Sequence, residues 1–160
     1  MVQMMRIDWL IIDGYNLLHE MDELARLLQT DIQSARHRLV RMVEETAHNM
    51  ASQTTIVFDG REAGSDAAFD SRYLEVFFSP AHLSADTVIE RLVCKYKSPE
   101  HILVVTSDRA ERDTVCGAGA QTMPSEEFME YCHRDAKKTI PKRTPPGQEP
   151  RLGDIFPDGL

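Results

Sequence analysis

Residues 9–20 read "WLIIDGYNLLHE", and the order of residue types within them decides the fold. A short apolar run, begun at Ile7 in "IDWLII", has the length and composition of a buried strand. It ends in Asp13, turns at Gly14, passes Asn16 and becomes helical from about Leu17. Glycine lets the backbone turn sharply beside the strand end. A turn by itself needs no carboxylate, so Asp13 at this junction calls for a chemical reason.

The same sentence of residues is repeated along the chain. "TTIVFDG" at 54–60 predicts a second strand, again ending in aspartate and glycine. "YLEVFFS" at 73–79 predicts a third, "HILVVTSD" at 101–108 a fourth ending in Asp108, and "AQTM" at 120–123 a short fifth. Between them, "TDIQSARHRLVRMVEETAHNM" at 30–50 sets Ile32, Ala35, Leu39, Val43 and Ala47 at helical spacing, with Thr30 and Gln33 forming a capping-box signal. "SADTVIERLVCKYK" at 84–97 predicts a helix capped by Ser84, with Val88, Leu92 and Tyr96 on one face. "RAERDTVCGAG" predicts a helix stopped by glycine, and "SEEFMEYCHRDAKK" a last helix whose opening acids suit its N-terminal dipole. Alternating helices and near-continuously apolar strands predict a three-layer α/β/α sandwich with a mainly parallel central sheet. "REAGSDAAFDSR", 61–72, has no period and reads as a flexible loop.

One such domain accounts for the chain. Its 160 residues suffice for one sizeable core and not for two, so we assign residues 1–138 to the domain. Residues 139–160, "TIPKRTPPGQEPRLGDIFPDGL", form a Pro/Gly-rich tail in which Leu152, Ile155 and Phe156 are the groups able to dock. No apolar run reaches the roughly 18 residues of a membrane span, and "MVQMMRIDWLIID" lacks a cleavage site, so a cytoplasmic location is expected. Three scattered cysteines, Cys94, Cys116 and Cys132, predict reduced thiols, and six scattered histidines form no HxxxH or HExxH pattern. A formal charge of −8 argues against broad electrostatic binding of nucleic acid, unless divalent cations offset part of it.

In a parallel sheet all C-terminal strand ends lie on one edge, where open α/β sheets hold their ligands. Asp13, Asp59 and Asp108 therefore gather there, joined by Asp86 in the first turn of the helix after the third strand. Glu90, four residues on, shares the helical face of Asp86. Crowded carboxylates repel one another, and an all-oxygen set suits Mg²⁺ or Mn²⁺. Such a site hydrolyses phosphodiesters without a serine, cysteine or histidine nucleophile. Asn16 is placed to orient water or a phosphate, and Ser107 to hold Asp108 or a phosphate. Each residue has a plainer reading. Asp13 and Asn16 suit helix caps, Asp108 with Glu111 makes a capping box, Asp86 complements a helix dipole, and Glu90 sits equally well on a solvated face. His19 reads as a surface or helix-packing residue, because hard cations prefer oxygen. Lys137, Lys138, Lys142 and Arg143 are the one basic cluster, suited to RNA or to a helix end.

"IIDGYNLLH", "IVFDG", "SADTVIERL" and "VVTSDRAERDTVCGAGAQTMPSEEF" together resemble the YacP-like branch of the NYN-domain ribonucleases, within the PIN-like nuclease superfamily. The likeness runs from about Ile7 to Tyr131. "DGYN" alone is weak, but with "ADxxIE" and "TSDxxE…GxGA" in this order it is specific. The resemblance implies a PIN-like fold and a metal-dependent endoribonuclease acting on single-stranded RNA, messenger RNA among the candidates. It puts the family's acids on Asp13, Asp59, Asp86 and Asp108, with Asn16 and Glu90 in support. The opening of the loop after the second strand lacks the family's basic, histidine-containing start. "SPAHLSAD" replaces a more polar stretch rich in threonine and glutamate. The short tail stands where ribosome-acting members carry a longer basic helical region, which argues against ribosome association. A noncatalytic RNA-binding or protein-interaction module on the same scaffold is the alternative that the acidic balance favours. A small-ester phosphatase of the haloacid-dehalogenase type would want DxD after the first strand, which "DGYN" does not supply.

Overall fold

The computed structural model describes residues 6–60 and 74–139. In chain order the elements are β1 (Ile7–Asp13), α1 (Gly14–Glu20), α2 (Asp22–Thr30), α3 (Ile32–Ala47), β2 (Ala51–Phe58), β3 (Glu75–Phe78), α4 (Ala85–Lys95), β4 (Ile102–Val105), α5 (Arg109–Gly117), β5 (Gln121–Met123) and α6 (Ser125–Thr139). β1 is the middle strand of a sheet ordered β3-β2-β1-β4-β5, and every pairing is parallel. The chain moves outward from β1 in one direction through β2 and β3, then returns to lay β4 and β5 on the other side. That reversal opens a crevice beside the C-terminal end of β1.

Strand residues alternate between two buried faces, as a period of two requires. Leu10, Ile12, Ile56, Phe58, Leu103 and Val105 point into a core closed by α1, α2, α3 and α6. Ile11, Val57, Ile102 and Val104 point into a second core closed by α4 and α5. Burial on both sides explains why β1, β2 and β4 read as unbroken apolar runs. The expected sandwich is present, with helices on both faces of the sheet. Ala35, Leu39, Val43 and Ala47 are buried along α3 as their spacing predicts, and Ile32 packs at the margin of the same core.

Helix starts differ from the sequence expectation in three places, and β2 begins at Ala51 rather than Thr54. α1 begins at Gly14 rather than near Leu17, because Asp13 caps it by accepting from the Asn16 N–H. α2 is a separate short helix in a stretch where only one short helix starting near Leu17 was expected. The cap of α3 is Asp31, whose carboxylate accepts from the Ser34 N–H and hydroxyl, whereas the Thr30 hydroxyl turns back to the Leu27 carbonyl. A charged acceptor able to take two donors outcompetes a hydroxyl at the same helix start. The predicted loop at 61–72 and the tail from 140 lie outside the described residues. Among the described residues no helix is long and apolar enough to cross a membrane.

Candidate active site

The C-terminal edge of the sheet carries a pocket of about 280 Å³ lined by Asp13, Tyr15, Asn16, His19, Asp59, Ala85, Asp86, Asp108 and Glu111. β1 delivers Asp13 directly, and β2 delivers Asp59 one residue past its end. Asp108 follows β4 by three residues as the cap of α5, and Asp86 sits in the first turn of α4. The edge expected from the sequence therefore brings Asp13, Asn16, Asp59, Asp86 and Asp108 together. Glu90 is half-buried one turn farther along α4 and is not among the residues lining the pocket. Two larger hollows, of about 600 and 700 Å³, lie along α2 and α3; Arg38 and Arg41 line both, and acids line only the first. We place the chemistry in the smaller pocket, because among the described residues it is there that strand ends bring like-charged groups together.

Hydrogen bonds fix these loops to one another. The Asn16 carbonyl oxygen accepts from the Ser107 N–H at 2.7 Å and from the Ser125 hydroxyl at 2.6 Å. The Ser107 hydroxyl accepts from the Ser125 N–H at 3.0 Å. Asn16 thus ties the ends of β1 and β4 to the start of α6, and these bonds leave only its amide NH₂ to face a substrate. Thr106, fully buried, performs the task expected of Ser107: its hydroxyl accepts from the Asp108 N–H at 3.2 Å. On the other side, buried Ser79 accepts from the Gly60 N–H at 2.9 Å and donates to the Leu83 carbonyl at 2.9 Å. This staple joins the residue after Asp59 to the turn that leads into Asp86. An added Cβ at Gly60 would lie 1.6 Å from the Ser79 carbonyl oxygen, so only glycine fits.

The plainer readings of two carboxylates also hold. Asp13 caps α1, and Asp108 caps α5 by accepting from the Glu111 N–H at 3.1 Å. Glu111 does not complete the capping box, since the Asp108 N–H is already taken by Thr106. Its side chain is instead 2% exposed and points into the pocket, where Oε2 accepts from the Thr106 hydroxyl at 2.9 Å. Oε1 accepts from no N–H or hydroxyl among the described residues, and the carboxyl group lies against that of Asp13. Two facing carboxylates hold a hydrogen bond only when one keeps a proton. Burial, reinforced by the charge of Asp13, pushes Glu111 up to about 9, and burial pushes Asp13 up to about 6. Sequence reasoning assigned Glu111 to a cap alone; its position three residues after Asp108 within "TSDxxE" was the available signal.

In kind, these donors suit a hard cation: all are oxygens, and a positive charge beside Asp13 and Glu111 would stabilise the ionised form that burial disfavours in both. In spacing, no three Asp, Glu, His or Cys side chains among the described residues close into a metal cage.

Comparison with known proteins decides the family. The model of the YacP-like NYN domain matches residues 10–154. The chain belongs to the YacP-like NYN domain family. A relative from Bacillus subtilis (strain 168), named uncharacterized protein YacP, is 27% identical over 125 residues, 77% of this chain and 74% of that protein. The crystal structure of Rae1 (YacP) from Bacillus subtilis has a TM-score of 0.72 at 24% identity, over 96% of this chain and 86% of the other. Its W164L mutant has a TM-score of 0.70 at 25% identity, over 82% and 79%. The fold of this NYN domain is thus that of the YacP structures, and the family is nuclease-like.

Proposed function

We propose that this YacP-like NYN domain is a divalent-metal-dependent endoribonuclease that hydrolyses phosphodiester bonds in single-stranded RNA. The observation that carries the reading is the convergence of Asp13, Asp59, Asp86, Asp108 and buried Glu111 in one pocket at the sheet's C-terminal edge. Clustered carboxylates that served only as caps would not need a fully enclosed glutamate among them, since burying a carboxyl without adequate partners costs stability.

Asp13, Asp86, Asp108 and Glu111 would hold Mg²⁺ or Mn²⁺ directly or through water, with Asp59 in the same pocket. The bound ion would lower the pKa of a water and offset charge on the phosphate. Thr106 orients Glu111, the Asn16–Ser107–Ser125 network holds the β1 and β4 loops in register, and the Asn16 NH₂ remains to contact a phosphate oxygen. The lack of a closed three-residue cage among the described residues favours a second reading, a noncatalytic RNA-binding or protein-interaction module on the same scaffold.

Cleavage of a labelled single-stranded RNA pool, with Mn²⁺, Mg²⁺ or EDTA, separates the two. Wild type should cut only with metal, and a folded Asp86→Asn variant should not cut. A folded wild-type protein that cuts in none of these conditions overturns the nuclease reading and leaves the binding module. Thermal melting adds an independent check: saturating Mn²⁺ should raise the midpoint of wild type by several degrees and that of Asp86→Asn by much less.

A further inference from the structure

We propose that His19 is an RNA-contacting residue that binds a backbone phosphate next to the one being cleaved. The inference rests on the ribonuclease reading and concerns a residue to which the sequence assigned only a surface or packing role. His19 lies in the last turn of α1, is exposed, and lines the same pocket as the carboxylates. It follows Asn16 by three residues, so both belong to one side of the helix.

Its neighbours give it this task. Asp13, Asp59, Asp86, Asp108 and Glu111 line the pocket with it, so among the described residues the charge an RNA strand meets there is acidic. A polyanion needs donors there besides any metal. Among the described residues lining the pocket, three side chains can donate to a phosphate oxygen: Tyr15, Asn16 and His19. Tyr15 is 8% exposed, and its hydroxyl already accepts from Arg36 Nε at 3.1 Å in the buried layer beneath. Asn16 is anchored through its carbonyl oxygen to Ser107 and Ser125, which holds its amide close to the strand ends. His19 is the exposed one of the three and the one able to carry positive charge. Six residues along α1, about 9 Å of helix rise, separate it from Asp13, so it reaches a phosphate beside the one at the carboxylates.

The test compares wild type with His19→Ala, His19→Arg and His19→Glu, using a single-stranded oligoribonucleotide and a dinucleotide that has only the scissile phosphate. With the longer RNA, His19→Ala should raise the half-saturating concentration about tenfold, the lower range for a hydrogen bond to a charged group, and change the maximal rate less than about twofold. His19→Arg should restore binding, His19→Glu should weaken it further, and the loss in His19→Ala should be several-fold smaller with the dinucleotide than with the longer RNA. The melting temperature of His19→Ala should match wild type, because the side chain is exposed. An unchanged half-saturation in His19→Ala, or a loss confined to the maximal rate, overturns the assignment while leaving the nuclease intact. If wild type cuts nothing, fluorescence anisotropy with the same oligonucleotide decides: weaker binding by His19→Ala supports the contact even though the nuclease reading has failed, and equal or absent binding overturns it.

Discussion

Replacing Glu111 with glutamine should stabilise the protein in the absence of metal while abolishing its activity. Glutamine reproduces the protonated glutamate: its carbonyl oxygen still accepts from the Thr106 hydroxyl, and its amide donates to Asp13 without a proton having to be taken up. The folded-state value of Glu111 lies above its ordinary value of 4.5, at about 9, so the folded protein holds a proton that the unfolded chain releases. Stability therefore falls as pH rises from the unfolded value and levels off once pH passes the folded one. From 4.5 to neutral pH is about 2.5 units at roughly 1.4 kcal/mol each, an upper bound of about 3 kcal/mol for wild type. Because Glu111 shares its proton with Asp13, about 1–3 kcal/mol is the working range, or roughly 2–10 °C in melting temperature for a chain of this length. Asp13, raised from 3.8 to about 6, contributes the same sign at lower pH and persists in the variant. The other charges acting on this pair are Asp86 and Asp108, and Asp59 and His19 line the same pocket. The assay is thermal melting in EDTA from pH 5 to 9. The gap between Glu111→Gln and wild type should widen through the upper half of that range. A variant that melts at or below wild type at pH 7, with a parallel pH profile, would refute the reasoning about this pair.

Two further outcomes test the scaffold. Asn16→Ala removes the acceptor for the Ser107 N–H and the buried Ser125 hydroxyl, and should cost roughly 2–4 kcal/mol in denaturant unfolding, with Asn16→Asp costing less because an acceptor remains; a loss under about 0.5 kcal/mol would mean the network does not hold these loops. Gly60→Ala forces the backbone away from the Ser79 carbonyl and should cost about 1–3 kcal/mol or more. The same substitution should lower RNA cleavage beyond what the stability loss explains, because Asp59 is the adjacent residue; unchanged activity in the folded fraction would separate Asp59 from the site.

Alternation of apolar strands with amphipathic helices was enough to assign the parallel three-layer fold, because burial on both faces leaves strands no polar side to show. The placement of Asp13, Asp59, Asp86 and Asp108 along one edge followed from that topology, since parallel strands end on the same side. Glu90 and Glu111 mark where the sequence stopped being sufficient. Both lie in the first two turns of helices near the edge, Glu90 four residues after Asp86 and Glu111 three after Asp108. Local spacing makes either one a credible neighbour of its aspartate. Only the way α4 and α5 roll on the sheet, with Val88, Ile89 and Val115 buried beneath them, turns Glu111 inward and leaves Glu90 outside the pocket lining. Likewise, the sequence marked Asn16 and Ser107 as polar residues at loop starts but not the bonds that bind them to Ser125, which lies 109 residues beyond Asn16. Strand order brings those three loops together, and a hydrogen bond between residues so far apart in the chain leaves no periodicity to read. The sequence by itself determined which edge carries the charge. Tertiary packing decided which side chains face one another across it.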